Sequence, residues 1–256
     1  MSGYLTATPR RSADVRLFCF HHAGGGASAF ARWQSELGDA VSVVPIQLPG
    51  RENRTREPRL RDMSRAVREL LEELSPWLDE PYVCYGHSMG AFVAHAFTRA
   101  RAEGGDTLPR RLVLGAARAP QLPIVLSSAA TMSDQDLGSL LASFGGMSPM
   151  LLRYPDWLAA AAALVRDDLS LCQTNPCQDV VRLPVALDLL AGAADPMVAA
   201  GDVSAWASHT SVGSRLHIVP GDHFFIRDAD PAFFRILRGI LAAAGAPFST
   251  PRSLRH

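Results

Sequence analysis

The sequence predicts an α/β fold: a mostly parallel central sheet flanked by helices, with a helical insertion. Three observations carry the prediction. Short apolar or β-branched runs alternate with segments of helical period. A G-x-S-x-G turn joins one of those runs to a helix. The stretch from Arg118 to Val180 contains helical pieces and no convincing strand.

The elements follow in order. Val15 to Phe20 (VRLFCF) reads as a strand running into the glycine-rich loop His21 to Gly26. Phe30 to Leu37 reads as a short helix. Val41 to Leu48 is β-branched enough for a second strand despite Pro45, and Pro49-Gly50 ends it. Asp62 to Leu78 carries Met63, Val67, Leu70, Leu71, Leu74 and Leu78 at helical spacing. Pro81 to Tyr85 is a third strand, Gly86 to Gly90 a tight turn, and Met89 to Arg101 a helix. Arg111 to Ala117 is the next strand. The insertion, about residues 118–180, holds helices near Asp134 to Leu141 and Trp157 to Leu171, and reads as a lid. Pro184 to Ala191, a helix near Val198 to Ser208, the strand Arg215 to Val219 and the helix Pro231 to Ala244 complete the chain. The tail from Pro247 to His256 is expected to fray. Nothing divides residues 1–256 into more than one domain.

Composition narrows the function classes. All 25 basic residues are arginine, and 25 carboxylates balance them. A net charge of zero disfavours nucleic acid, whose partners carry a basic excess. The N-terminus lacks a signal-peptide core and no apolar stretch is long enough to span a membrane, so a cytoplasmic protein without a membrane partner is expected. Cys19, Cys84, Cys172 and Cys177 have no zinc spacing and are expected to be structural or incidental.

Chemistry concentrates at Gly86-His87-Ser88-Met89-Gly90, between a strand and a helix. Such a turn holds a serine at the edge of the sheet beside a helix N-terminus, where developing negative charge is favoured. A nucleophilic serine needs a base, and the base needs an orienting acid. Of eight histidines, His223 follows the last strand in a loop that can reach over the sheet. Asp195 ends the strand before it, whereas Asp188 lies inside that strand, Asp222 adjoins His223, and Asp202 falls on a helix surface. Ser88, Asp195 and His223 are therefore the candidate catalytic set. The candidate oxyanion amides are Met89 and, in the loop after the first strand, Ala23, with Gly24 as the alternative. A phosphate loop is the rival reading of that glycine run, but its pattern needs a lysine that this chain lacks.

Read together, these residues resemble the type II thioesterases of polyketide and non-ribosomal peptide synthesis. The matching pieces are LFCFHHAGGGASAFARW (Leu17 to Trp33), QLPGRENR (Gln47 to Arg54), YGHSMGAFVAHAF (Tyr85 to Phe97), LGAARAPQLP (Leu114 to Pro123), GAADP (Gly192 to Pro196) and PGDHFFI (Pro220 to Ile226). The resemblance implies an α/β-hydrolase fold with a helical lid. It also implies hydrolysis of acyl groups from the phosphopantetheine arm of acyl or peptidyl carrier proteins, with no metal or other cofactor. By the same resemblance Ser88 is the nucleophile, Asp195 the acid, His223 the base, and Ala23 and Met89 the oxyanion donors. His21 departs from the family, which often has proline there. Integrated thioesterase domains usually carry the acid after an earlier strand; here that place reads Gly115-Ala116-Ala117-Arg118, without a carboxylate.

Two features stay open at this level. Arg51, Arg54, Arg56, Arg59, Arg61 and Arg65 read either as a carrier-docking patch or as a solvated face offset by Glu52, Glu57 and Asp62, and the second is favoured; a further reading has Arg51 and Glu52 bracing the loop instead. Trp157 to Val165 reads either as the wall of an acyl chamber or as ordinary helix packing. A general carboxylesterase, an acyltransferase and a non-catalytic carrier-binding module remain as alternative functions on the same fold. A monomer is expected.

Overall fold

The computed structural model describes residues 3–123, 125–175, 179–228 and 230–245. Cys177 and the tail from Pro247 lie outside them. Six strands, β1 (Val15–Phe20), β2 (Val41–Pro45), β3 (Tyr82–His87), β4 (Arg111–Gly115), β5 (Leu187–Gly192) and β6 (Ser214–Val219), form one sheet in the order β2-β1-β3-β4-β5-β6. Every pairing within it is parallel. The helices are α1 (Trp33–Leu37), α2 (Met63–Leu74), α3 (Met89–Glu103), α4 (Asp134–Ser143), α5 (Pro155–Gln173), α6 (Ala200–Ser204), α7 (Phe225–Asp228) and α8 (Pro231–Ala243).

Strands β1, β3 and β5 are buried along their whole length. Their side chains alternate between two apolar layers, as strands covered on both faces must. Phe18, Cys84, Leu112 and Leu189 pack with α2 and α3 residues such as Leu70 and Phe97. Leu17, Val83, Val113 and Leu190 pack with Trp33 of α1 and Phe233 and Leu237 of α8. Cys19, Cys84 and Cys172 are buried free thiols.

Element bounds differ from the sequence reading where local chemistry intervenes. The second strand stops at Pro45; beyond it, Ile46 bridges antiparallel to Leu5 and the Gln47 N–H turns to Tyr4 O at 2.9 Å. The expected Phe30–Leu37 helix is a 3₁₀ turn, Ala27–Phe30, followed by α1. The Val198–Ser208 helix divides into α6 and a 3₁₀ turn, Ala205–His209. Helix α7 was not foreseen. Helix α2 starts where its cap dictates: Asp62 accepts the Arg65 N–H at 2.7 Å.

The insertion contains α4, α5 and two 3₁₀ turns, Ser127–Ala130 and Pro149–Arg153, and no strand among the described residues. It has its own apolar cluster, in which Leu137 and Leu141 of α4 meet Leu158 and Ala162 of α5. No helix among the described residues is long and apolar enough to cross a membrane.

Candidate active site

The strand order reverses between β1 and β3, so the loops leaving their C-terminal ends part and open a crevice. Ser88 sits there, between β3 and α3. Its backbone lies at φ 53°, ψ −116°, a conformation a side-chain-bearing residue keeps only when its surroundings enforce it. The enforcement is visible. Ser88 N–H donates to Gly115 O at 2.8 Å. A Cβ on Gly86 would stand 2.2 Å from Gly90 O, and one on Gly90 would stand 2.1 Å from Phe20 O. Both glycines of the motif are therefore set by backbone-to-backbone contact.

The structure brings the three candidate catalytic side chains together. His223 Nε2 lies 3.1 Å from Ser88 Oγ, and His223 Nδ1 lies 2.9 Å from Asp195 Oδ2. The other Asp195 oxygen accepts the N–H groups of Met197 and Val198 at 2.8 and 3.0 Å. Burial alone would raise the Asp195 pKa; the hydrogen bond from His223 and those two amides outweigh it and hold it below the usual carboxylate value. A carboxylate at Nδ1 requires the proton on that nitrogen, which leaves Nε2 free to accept from the serine hydroxyl.

His87, which the sequence reading left as a turn residue, supports this arrangement from below. Its Nε2 donates to His223 O at 2.7 Å, while Nδ1 accepts from Tyr85 Oη at 3.0 Å. Burial, then the neighbouring His223 and His22, push its pKa well down, so it is a neutral strut. Only its place inside the turn motif hints at this in the sequence.

The loop after β1 makes a tight turn, with Gly25 N–H donating to His22 O at 3.0 Å and Gly24 at φ +74°. That is the geometry of a type II turn, whose third residue favours glycine. The Gly24 N–H donates to Asp168 Oδ2 of α5 at 2.7 Å, which removes Gly24 as an oxyanion donor. Ala23 lines the same pocket as Ser88, His223 and Met89. Met89 is the first residue of α3, so its N–H has no partner inside the helix. A phosphate has no room at the glycine run, since Asp168 takes Gly24 and Glu52 Oε1 takes the Ser28 N–H at 3.3 Å and hydroxyl at 2.6 Å. His21, the departure from the family pattern, is buried with Nδ1 2.9 Å from His22 O.

The arginine loop is a solvated face only in part: Arg56, Arg61 and Arg65 are exposed, whereas Arg51 and Arg54 are buried. Arg51 is 3% exposed and holds the fully buried Asp168 with two bonds of 2.7 and 2.6 Å. Arg59 and Arg61 both bind Asp167, at 2.7 and 2.6 Å. Arg54 pairs with Glu57 and stacks over Tyr4, its guanidinium carbon 4.3 Å from the ring centroid. Of the three carboxylates expected to offset the loop, only Glu57 pairs with one of its arginines; Asp62 caps α2 and Glu52 binds Ser28. The loop's main partners are the two lid aspartates, so it braces the lid.

The pocket above Ser88 is walled by apolar groups of the sheet domain and of the lid, among them Phe92, Leu122, Leu141, Phe144, Leu169 and Met197. Of the Trp157–Val165 segment, Val165 faces it; Leu158 and Ala162 pack inside the lid, and Trp157 is 69% exposed. The chamber wall thus lies further along α5, at Val165, Leu169 and Cys172. Among its lining residues the only arginine is Arg118, bound to Asp202 at 2.9 Å.

This fold, with a strained serine, a histidine and a buried aspartate in hydrogen-bonded sequence, defines a serine hydrolase of the α/β-hydrolase class. The model of the thioesterase domain family matches residues 15–241. The chain belongs to that family, whose members hydrolyse acyl thioesters. It is 32% identical over 232 residues to the linear gramicidin dehydrogenase LgrE of Brevibacillus parabrevis, covering 90% of this chain and 88% of that one. It is 30% identical to the thioesterase PikA5 of Streptomyces venezuelae, covering 86% and 78%. Among solved structures, RedJ, the thioesterase of the prodiginine pathway in Streptomyces coelicolor, superimposes with a TM-score of 0.83 at 31% identity, over 93% of this chain and 94% of that one.

Proposed function

We propose that this protein is a type II, editing thioesterase of polyketide or non-ribosomal peptide synthesis. Its substrates are acyl thioesters on the phosphopantetheine arm of carrier proteins, which are its partners. The observation that carries the reading is the Ser88–His223–Asp195 relay opening into an apolar chamber. The biosynthetic relatives support the pathway.

The steps follow from the geometry. His223 Nε2 takes the proton from Ser88 Oγ as the oxygen attacks the acyl carbonyl carbon. The carbonyl electron pair moves to oxygen, where the Ala23 and Met89 N–H groups receive it; each such donor typically lowers the barrier by about 3 kcal/mol. The C–S bond then breaks, and His223 returns its proton to the pantetheine sulfur. Water, losing a proton to His223, adds to the acyl-enzyme. The Ser88 oxygen leaves with that proton and the free acid departs. Asp195 keeps the imidazole in the working tautomer throughout. No step calls on a metal or a redox cofactor. The dehydrogenase in LgrE's name does not extend here, since carboxylates fill the glycine turn that a dinucleotide's pyrophosphate needs.

Intact-mass analysis of carrier proteins loaded with acetyl, propionyl, butyryl and a long acyl group tests the proposal. The native enzyme is expected to remove the acyl mass, and Ser88→Ala to leave it. Brisk hydrolysis of simple esters without carrier deacylation would instead make it a general esterase. Transfer to an added amine or alcohol would make it an acyltransferase. Tight carrier binding without turnover would make it a binding module.

A further inference from the structure

We infer that Asp168, on the lid helix, is a positioning residue for the oxyanion hole, acting through the turn that presents Ala23; this deepens the proposed reaction and rests on it. Besides the two atoms of its closing bond, the turn His22–Gly25 carries backbone N–H groups, among them those of Ala23 and Gly24, and carbonyls, among them that of Gly25. A single ion pair grips two of them. Asp168 Oδ2 accepts the Gly24 N–H at 2.7 Å, and Arg51 Nη1, itself 2.7 Å from that oxygen, donates to Gly25 O at 3.2 Å. The Ala23 N–H, on the peptide just before the gripped Gly24, belongs to the residue that lines the pocket beside Ser88.

The grip is rigid for physical reasons. Asp168 is fully buried and its carboxylate is engaged by two guanidinium nitrogens and one amide, so neither oxygen is free to reorient. One helical turn earlier, Val165 presses on the same peptide: a Cβ on Gly24 would stand 2.9 Å from Val165 Cγ2. A turn containing two flexible residues, Gly24 and Gly25, is therefore clamped from above by α5 and from the side by Arg51. An oxyanion donor gains its catalytic advantage from being fixed before charge develops. Without the clamp, the flexible turn must be ordered during the reaction. The same contacts make a complete oxyanion hole conditional on a seated lid helix, because Asp168 reaches the turn only from α5.

The test compares two double variants that leave no buried charge unpaired. Arg51→Met with Asp168→Leu removes both the ion pair and the acceptor. Arg51→Met with Asp168→Asn removes the ion pair and keeps an oxygen for Gly24. The probe is an alkyl trifluoromethyl ketone, whose adduct with Ser88 puts an oxyanion in the hole without any carrier protein. Relative to the native enzyme, the leucine pair is expected to lose ten- to a hundred-fold in ketone affinity and the same factor in kcat, with KM within three-fold. The asparagine pair is expected to recover most of both losses. A merely structural residue would shift the unfolding midpoint without splitting ketone affinity from KM. Where the leucine pair fails to fold, Asp168→Glu alone moves the acceptor while keeping the charge pair and is expected to show the same split. Equal ketone affinity and kcat in the leucine and asparagine pairs, or a native-like Asp168→Glu, overturns the role of Asp168. A native enzyme that forms no ketone adduct overturns the serine-hydrolase reading and this inference with it.

Discussion

Asp195 illustrates how much one residue does through where its two oxygens point. One is tied to the Met197 and Val198 amides and the other holds His223. Asp195→Asn keeps the shape but offers an N–H where the imidazole needs an acceptor, favouring the wrong tautomer. Turnover is expected to fall by roughly 10⁴-fold with folding retained, as steady-state kinetics and a thermal melt will show. A loss under ten-fold would mean that another group orients His223. Ser88, Asp195 and His223 were legible because each is announced locally: a glycine-flanked serine, an aspartate ending a strand, a histidine just past the last strand. Asp168 was not. Its partners Arg51 and Gly24 lie 117 and 144 positions away, and nothing near it in sequence marks it as other than a lid carboxylate.

At the scale of elements, the junction of β3 and α3 is the tightest point of the fold. Gly90→Ala drives a methyl group into the Phe20 carbonyl, and backbone on both sides cannot yield. It is expected to cost more than about 3 kcal/mol in urea unfolding. Gly239→Ala, on α8 with open space around it, is expected to stabilise by about 0.5–1 kcal/mol, because there the change affects only helix propensity. Equal effects at the two sites would mean that the close approach at Gly90 is relieved by a shift of α3. Most strands and helices were readable because their apolar period survives burial. Their ends were not. Pro45 ends β2 early because the segment after it pairs with Tyr4 and Leu5 near the N-terminus, about 40 positions earlier, a contact invisible to local pattern. The arginine loop was only partly legible for the same reason: the counter-ions of Arg51, Arg59 and Arg61 sit on a helix more than a hundred residues later.

For the molecule as a whole, two properties follow from what it buries. The chamber is apolar and its one lining arginine is already paired, so a carboxylate on the acyl group would lose its water without gaining a partner. Butyryl-carrier is expected to be cleaved at least ten-fold faster than succinyl-carrier in the intact-mass assay; similar rates would mean the succinyl carboxylate stays in solvent. The fold also buries neutral imidazoles. Burial, then nearby cationic groups, hold His21 and His95 to about 3, against an ordinary 6.5. Between those values the unfolded chain binds protons that the fold refuses, so stability is lost as pH falls. Each such histidine removes about 1.4 kcal/mol per pH unit below roughly 6. Urea midpoints are expected to be level from pH 8 to 7 and to drop steeply from pH 6 to 4.5; a flat profile would mean these rings are protonated in the fold. The class of fold was legible from the strand–helix alternation, whereas the lid's attachment to the sheet depends on ion pairs that no periodicity encodes.

The order in which the site is assembled along the chain has a consequence for synthesis. The residues of the nucleophile turn and of the glycine turn are all present by Gly90, after strands β1 and β3. The acid and base arrive only with Asp195 and His223, after β5 and β6. A chain emerging from the ribosome therefore carries its serine long before anything can deprotonate it. The full set of proposed catalytic groups exists only once β5 and β6 have been made and paired to the sheet. Any truncation before residue 223 yields a protein that holds its nucleophile and cannot use it.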